Sequence, residues 1–196
     1  MRVLFLAGME PILHGSVARG DVDEESDVDI FIPLEVQPFR VELALRSAGY
    51  EFLRREVVIA TPWQLPKAHL YLDEKLSVSF PLLKPTPSEL DFYHFGGALD
   101  LKDLERGRRV PGVDKRLMLI EPIPEGHLES SILGREGEVA KKLGVGIETV
   151  RERIQVLTRR ADIGRTGLYF RRELAPSESF EELLPEVERK VRSCRR

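Results

Sequence analysis

Two short stretches near the start of the chain carry residues whose types and spacing could do chemistry. Asp27 and Asp29 alternate with apolar residues, which predicts a half-buried strand with both carboxylates on one face. Neighbouring carboxylates repel each other unless a cation lies between them, and Mg²⁺ (or Mn²⁺) prefers such oxygen ligands. Residues 17–26 separate this pair from Gly15, which lets a ligand approach the backbone, and from the hydroxyl of Ser16. The pattern predicts a site for a metal ion and a triphosphate.

The order Gly15-Ser16, a spacer, and Asp27-Val28-Asp29 resembles the signature of the nucleotidyltransferase superfamily, which has a DNA polymerase beta-like fold. The resemblance implies that Gly15 and Ser16 grip the triphosphate of an NTP and that Asp27 and Asp29 hold Mg²⁺ or Mn²⁺. His14 departs from the pattern, because an apolar residue is usual before the glycine. The alternative is a glycine turn followed by a strand whose acids are merely solvated.

The resemblance also implies a third carboxylate, which acts with the metal or activates the acceptor hydroxyl. Glu56, at the start of an apolar strand, is the first candidate. The next hairpin strand has Ser77 and Ser79 on one face, where an acid would otherwise be expected. Arg19 follows the glycine turn, and its guanidinium either binds phosphate oxygens of the nucleotide or lies in solvent.

The elements that must position these residues follow from hydrophobic periodicity. Residues 39–48 have helical spacing with Gly49 as a stop signal, and residues 57–60 form a continuous apolar run typical of an interior strand. Residues 68–72 and 76–80 flank a polar turn and predict a hairpin. The expected fold class is therefore α+β, with a nucleotidyltransferase-type mixed sheet and flanking helices over residues 1–115.

Residues 116–196 are expected to form a small winged-helix-like C-terminal domain. Residues 138–154 resemble a helix-turn-helix with Gly144 in the turn, and residues 159–170 predict a hairpin with its tip at 164–167. Arg159, Arg160 and Arg165 are then candidate nucleic-acid contacts. The alternative is a helical domain that packs on the front part or forms a homodimer. From Ser179, a capping-box pattern predicts an amphipathic helix that docks on the body or on a second copy.

Composition excludes several classes of protein. One cysteine cannot build a disulfide framework, and the four scattered histidines do not have zinc-site spacing. Residues 1–134 hold 15 Lys+Arg against 22 Asp+Glu, while residues 135–196 hold 15 against 11. An acidic front suits metal binding and a basic rear suits a polyanion. No apolar run approaches a membrane span, so we expect a cytoplasmic protein without a membrane partner.

Together these observations predict a metal-dependent enzyme that moves a nucleotidyl group from an NTP to an acceptor hydroxyl in a nucleic acid or a protein. The alternative is a DNA-binding regulator whose nucleotidyltransferase-like part binds nucleotide without turnover. The unclear third carboxylate favours the regulator, whereas the intact Gly15-Ser16 and paired aspartates favour the enzyme.

Overall fold

The structure is a computed structural model that describes the backbone of residues 1–164 and 167–194 and the side chains up to residue 191. It consists of two compact units built from separate segments of the chain. Unit 1 comprises residues 1–11, 29–85 and the chain from residue 167 onward, and unit 2 comprises residues 12–28 and 86–166. Within the described residues, no helix is long and apolar enough to span a membrane.

Unit 1 contains five sheet strands in the order β10-β3-β4-β5-β2. Its elements are α1 (Arg2–Leu6), β2 (Val28–Phe31), α3 (Pro38–Ser47), β3 (Arg54–Ile59), β4 (Lys67–Tyr71), β5 (Leu76–Pro81), β10 (Phe170–Glu173) and α8 (Phe180–Cys194). The helix and the strands predicted between residues 39 and 80 are confirmed within a few residues. The mixed α+β character with flanking helices is also confirmed.

The strands of unit 1 have one apolar and one polar face, because successive side chains point to opposite sides. The apolar side chains of β3, β4 and β5 are fully buried: Val57, Ile59, Ala68, Leu70, Val78 and Phe80. On the opposite face, Glu56 of β3 pairs in register with His69 of β4, and His69 with Ser79 of β5. The sheet therefore presents a row of polar groups on one side.

The C-terminal tail belongs to unit 1, so its helix docks on the body, one of the two positions that the sequence predicted for it. Strand β10 pairs antiparallel with β3, and Phe180 of α8 lies edge-on to Phe80 of β5 with ring centroids 5.9 Å apart. The predicted capping box is present, since Ser179 and Glu182 exchange backbone and side-chain hydrogen bonds. The sequence placed a single boundary at residues 115–116, whereas the tail returns to the front sheet because β3 leaves an edge for pairing.

Unit 2 combines a strand pair, a three-stranded sheet and five helices among its described residues. Its elements are β1 (Ile12–His14), α2 (Ser16–Arg19), α4 (Pro87–Gly96), β6 (Ala98–Asp100), α5 (Leu101–Glu105), β7 (Gly112–Val113), β8 (Met118–Ile123), β9 (Gly126–Ser131), α6 (Glu136–Leu143) and α7 (Ile147–Ile163). Strand β1 pairs antiparallel with β6, and β7-β8-β9 form a separate sheet.

The core of unit 2 joins α4, the three-stranded sheet and the helices α6 and α7. Its buried members are Phe95, Val113, Leu117, Leu119, Ile132, Val139, Ala140 and Val150. Gly144 ends α6 in the left-handed region at φ 66°, which allows the tight turn into α7. The hairpin predicted over residues 159–170 is wrong in both arms, because α7 continues to Ile163 and Phe170 pairs with β3 instead.

Candidate active site

The Gly15-Ser16 turn connects β1 to the short helix α2. Gly15 adopts φ 83° and ψ −146°, a conformation that L residues with a side chain rarely adopt. Apart from Gly15 and its two neighbours in the chain, no described atom lies within 4 Å of the position that a Cβ of Gly15 would take, so this side of the turn is open. Gly15 N–H donates to the Gly97 carbonyl at 3.0 Å, which continues the pairing of β1 with β6.

Two glycines, Gly96 and Gly112, let neighbouring segments of unit 2 pack closely beside the turn. A Cβ on Gly96 would lie 2.4 Å from the His14 ring, and a Cβ on Gly112 would lie 2.5 Å from the Gly97 backbone nitrogen. His14 Nδ1 is 3.2 Å from the Gly97 carbonyl oxygen. Sequence reasoning missed Gly96 and Gly97, although two adjacent glycines are a signal for close backbone packing.

Arg19 lies in the interior of unit 2, where its guanidinium forms hydrogen bonds with neighbouring residues. The side chain is only 6% exposed. Its guanidinium donates to both carboxylate oxygens of Asp21, at 3.0 and 2.9 Å, and to the Gly96 carbonyl at 2.6 Å. All three guanidinium nitrogens therefore have partners, which gives Arg19 a role in supporting the turn.

The two predicted metal ligands lie at the start of β2. Asp27 directly precedes the strand, Asp29 is its second residue, and both are exposed. Ser77 of β5 donates its hydroxyl to Asp29 Oδ1 at 2.9 Å. The nearest polar partner of Asp29 in unit 1 is thus a hydroxyl, at a position where the resemblance would place an acid.

Glu56 lies away from Asp29, because β4 and β5 separate their strands. With about 4.8 Å between neighbouring strands, this corresponds to roughly 14 Å. The Glu56 carboxylate is 3% exposed and accepts hydrogen bonds from Tyr71 and Arg171, both at 2.8 Å. Arg54 Nε lies 3.5 Å from the same carboxylate. The structure therefore does not bring the candidate third acid to the aspartate pair.

Burial and hydrogen bonding act in opposite directions on Glu56. Burial alone would raise the pKa of its carboxyl, but the hydrogen bonds from Tyr71 and Arg171, with the charges of Arg171 and Arg54, lower the pKa below its usual 4.5. Across the strand pair, burial lowers the pKa of His69 to about 4, with Lys67 and Arg54 adding to the effect and Glu56 opposing it. Glu56 is ionised and His69 neutral near pH 7.

Comparison with known families identifies the part of the chain that carries the Gly15-Ser16 turn and the aspartates. A family model of the nucleotidyltransferase domain matches residues 4–78. Residues 4–78 are therefore similar to a nucleotidyltransferase domain. The searches among curated proteins and among solved structures found no match.

The residues that the family model matches offer oxygen ligands that suit a hard divalent cation. Mg²⁺ in proteins is commonly held by one or two carboxylates together with substrate phosphates and waters, and Asp27 and Asp29 are two exposed carboxylates one residue apart. Within the described part of the chain, no group of three or more His, Cys, Asp or Glu side chains has a metal-binding arrangement. The donor set fits a metal that completes its shell with phosphate and water.

The candidate nucleic-acid contacts lie outside the matched nucleotidyltransferase domain. Arg159 and Arg160 are exposed in the last turns of α7, and Arg165 lies outside the described residues. The sequence predicted these arginines on a wing hairpin, but α7 extends through residues 159 and 160. Arg159 and Arg160 therefore lie on a helix and not on a wing.

Proposed function

We propose that the protein transfers a nucleotidyl group from an NTP to an acceptor hydroxyl. The observation that carries the proposal is the nucleotidyltransferase match over residues 4–78, which includes Gly15-Ser16 and Asp27-Val28-Asp29 at the spacing of the superfamily signature. The exposed carboxylates of Asp27 and Asp29 and the open side of the Gly15 turn agree with it.

In this proposal Asp27 and Asp29 hold Mg²⁺ or Mn²⁺. The metal, when bound, neutralises negative charge that develops on the transferred and leaving phosphates. Ser77 keeps one oxygen of Asp29 in a hydrogen bond and thereby orients the carboxylate. Asp27 and Asp29 alternate with Val28, so in an extended backbone their side chains project to the same side.

The Gly15-Ser16 turn binds the triphosphate. The open side of the turn at Gly15 leaves space for phosphate oxygens, and the Ser16 hydroxyl donates to one of them. Fixing the triphosphate in line with the acceptor supplies much of the rate of such reactions, since little covalent chemistry is left to the protein.

The reaction forms a bond between the acceptor oxygen and the α-phosphorus and breaks the bond to the leaving pyrophosphate. The proton of the acceptor hydroxyl passes to solvent. We leave Glu56 out of this step, because its carboxylate is bonded to Tyr71 and Arg171 and lies two strands beyond the strand next to Asp29.

The test is label transfer from α-labelled NTPs to a mixture of RNA, DNA and protein acceptors with Mg²⁺ or Mn²⁺. Asp27→Asn and Asp29→Asn should each lower transfer by about 100-fold or more, as expected when a ligand of the charge-stabilising metal is lost. Glu25→Gln is the matched control, since Glu25 is an exposed acid of the same loop, and it should retain transfer. Equal transfer by wild type and the aspartate variants, or none by wild type, contradicts the proposal.

A second function is favoured by the hydroxyl of Ser77 at the position next to Asp29. A domain that lacks a third acid there can bind nucleotide without turnover and serve a DNA-binding regulator. This alternative predicts NTP binding without label transfer, and salt-dependent duplex binding that weakens in Arg159→Gln/Arg160→Gln. An unchanged salt slope in that variant would exclude these arginines as the DNA contacts.

A further inference from the structure

Three arginines are buried among the described residues, and one of them, Arg153, differs from the other two in its hydrogen-bond partners. Arg19 is bonded to Asp21 and to a carbonyl. Arg55 in unit 1 is bonded to Glu42 at 2.8 Å and to the carbonyls of Ala175 and Glu178. Arg153 of α7 is 9% exposed, and its Nε is buried with no hydrogen-bond partner. A buried cation without a partner is costly, so an uncompensated arginine points to a ligand.

The surroundings of Arg153 compensate its charge only in part. Its guanidinium carbon lies 4.9 Å from the centre of the Phe92 ring of α4, a cation–π contact worth on the order of 1 kcal/mol. Burial lowers the pKa of the Arg153 guanidinium, and the charge of Arg160 lowers it further against an opposing effect of Glu152. No carboxylate described in the structure forms an ion pair with it.

The position of Arg153 connects it to the Gly15-Ser16 turn. The Phe92 ring that carries its guanidinium lies 5.6 Å from the ring of His14, between centroids. His14 is the last residue of β1 and directly precedes Gly15. All of these residues belong to unit 2, so one packed group of side chains runs from α7 through α4 to the turn.

We propose that Arg153 is a nucleotide-binding residue, whose guanidinium contacts the phosphates of an NTP at the Gly15-Ser16 turn. The inference rests on the proposed function, because it needs a triphosphate at that turn. In this inference the buried face of α7, which carries Arg153, contacts the nucleotide. The helix that was predicted to enter a DNA groove would then supply a cation to the active site instead. A bound phosphate would provide a hydrogen-bond acceptor for the guanidinium, whose buried Nε has none among the described residues.

The experiment compares Arg153→Met, which keeps the length and removes the charge, with Arg153→Lys, which keeps the charge. Arg151→Met is the matched control, because Arg151 is exposed on the same helix and pairs with Glu148. The dissociation constants of the four ribonucleoside triphosphates, of adenosine, of tripolyphosphate and of a DNA duplex are measured with Mg²⁺. The thermal unfolding of each ligand-free protein is measured alongside.

Arg153→Met should weaken NTP and tripolyphosphate binding by roughly 10- to 100-fold, the loss of one hydrogen-bonded charge pair. Arg153→Lys should fall between wild type and Arg153→Met, while adenosine binding and the Arg151→Met control stay at the wild-type values. The ligand-free melting temperature of Arg153→Met should not fall, because removing a desolvated charge offsets the lost contact with Phe92 and leaves no carboxylate unpaired. A purely structural arginine would give a lower melting temperature and unchanged affinity.

Unchanged NTP affinity in Arg153→Met overturns the inference, as does a loss confined to the DNA duplex, which would assign the arginine to acceptor phosphates. Wild-type protein that binds none of the phosphate probes overturns it as well. Label transfer, measured on the same samples, judges the proposed function separately. A protein whose NTP affinity depends on Arg153 but which transfers no label would retain this site and lose the enzyme assignment.

Discussion

Unit 1 and unit 2 each bury a charged side chain, and the two charges have different partners. In unit 1, the Glu56 carboxylate has Tyr71 and Arg171 as donors and Arg54 close by. In unit 2, the contact that the structure describes for the Arg153 guanidinium is the face of Phe92, and its Nε has no hydrogen-bond partner among the described residues. The contrast teaches that a fully bonded buried charge holds structure, whereas an unbonded one is available to a ligand.

The same contrast occurs within unit 2 between two arginines of similar burial. Arg19 and Arg153 are 6% and 9% exposed, yet only Arg19 is bonded to a carboxylate. The two arginines therefore differ in their bonding partners and not in how deeply they are buried. Substitutions that remove each charge in turn test this difference.

Arg19→Met should produce the largest change. It removes the partner of Asp21, which is itself 12% exposed at the side chain, and leaves the Gly96 carbonyl without its donor. We expect the free energy of unfolding to fall by about 3 kcal/mol, the usual cost of breaking a buried pair. Urea denaturation measures it, and Arg153→Met, with no loss, is the comparison. Equal losses in both variants would contradict the distinction between the two arginines.

Glu56→Gln should give the next largest effect, because Gln keeps the shape and removes the charge that faces Arg171 and Arg54. We expect a loss of about 2 kcal/mol in the free energy of unfolding, since Arg171 is half exposed and can turn to solvent. Label transfer should stay near the wild-type rate. A loss of transfer larger than the loss of folded protein would return Glu56 to the catalytic group.

The resemblance to a nucleotidyltransferase could be predicted from the sequence because its information is local. Gly15, Ser16, Asp27 and Asp29 lie within fifteen residues, and the family model matches the region that contains them, while their roles stay predictions. The strands of unit 1 between residues 57 and 80 were predictable for the same reason, since apolar runs and alternation of polar and apolar residues are visible in a short window.

The remaining features depend on residues far apart in the chain. Pairing of β10 with β3 joins residues more than 110 positions apart, and the wing was predicted where the chain instead ends α7 and returns to unit 1. Whether Arg153 has a partner depends on packing of α7 on α4. A lone arginine on an amphipathic helix shows no such signal in sequence.

Acid should reveal how unit 1 keeps His69 neutral beside Glu56. The folded-state pKa of about 4 lies below the usual 6.5, so the unfolded chain binds the extra proton between these values. Stability contributed by the neutral imidazole is complete above pH 6.5 and declines as the pH falls toward 4, by about 3 kcal/mol. His69→Gln should flatten this part of the profile in urea denaturation at a series of pH values. A slope equal to that of wild type would mean that another group titrates there.

Ser77→Asp should sharpen the comparison by adding an unbonded charge to unit 1, next to Asp29. Ser77 is 8% exposed and its hydroxyl is 2.9 Å from Asp29 Oδ1. A second carboxylate there repels the first, so the metal-free melting temperature should fall by a few degrees, corresponding to about 1 kcal/mol. Mn²⁺ should reverse the loss, because the two acids then share a cation, whereas Ser77→Asn should respond to Mn²⁺ as wild type does.

If Ser77→Asp also transfers label faster than wild type, the hydroxyl at position 77 limits turnover. A melting temperature insensitive to Mn²⁺ in Ser77→Asp would place the metal away from Asp29.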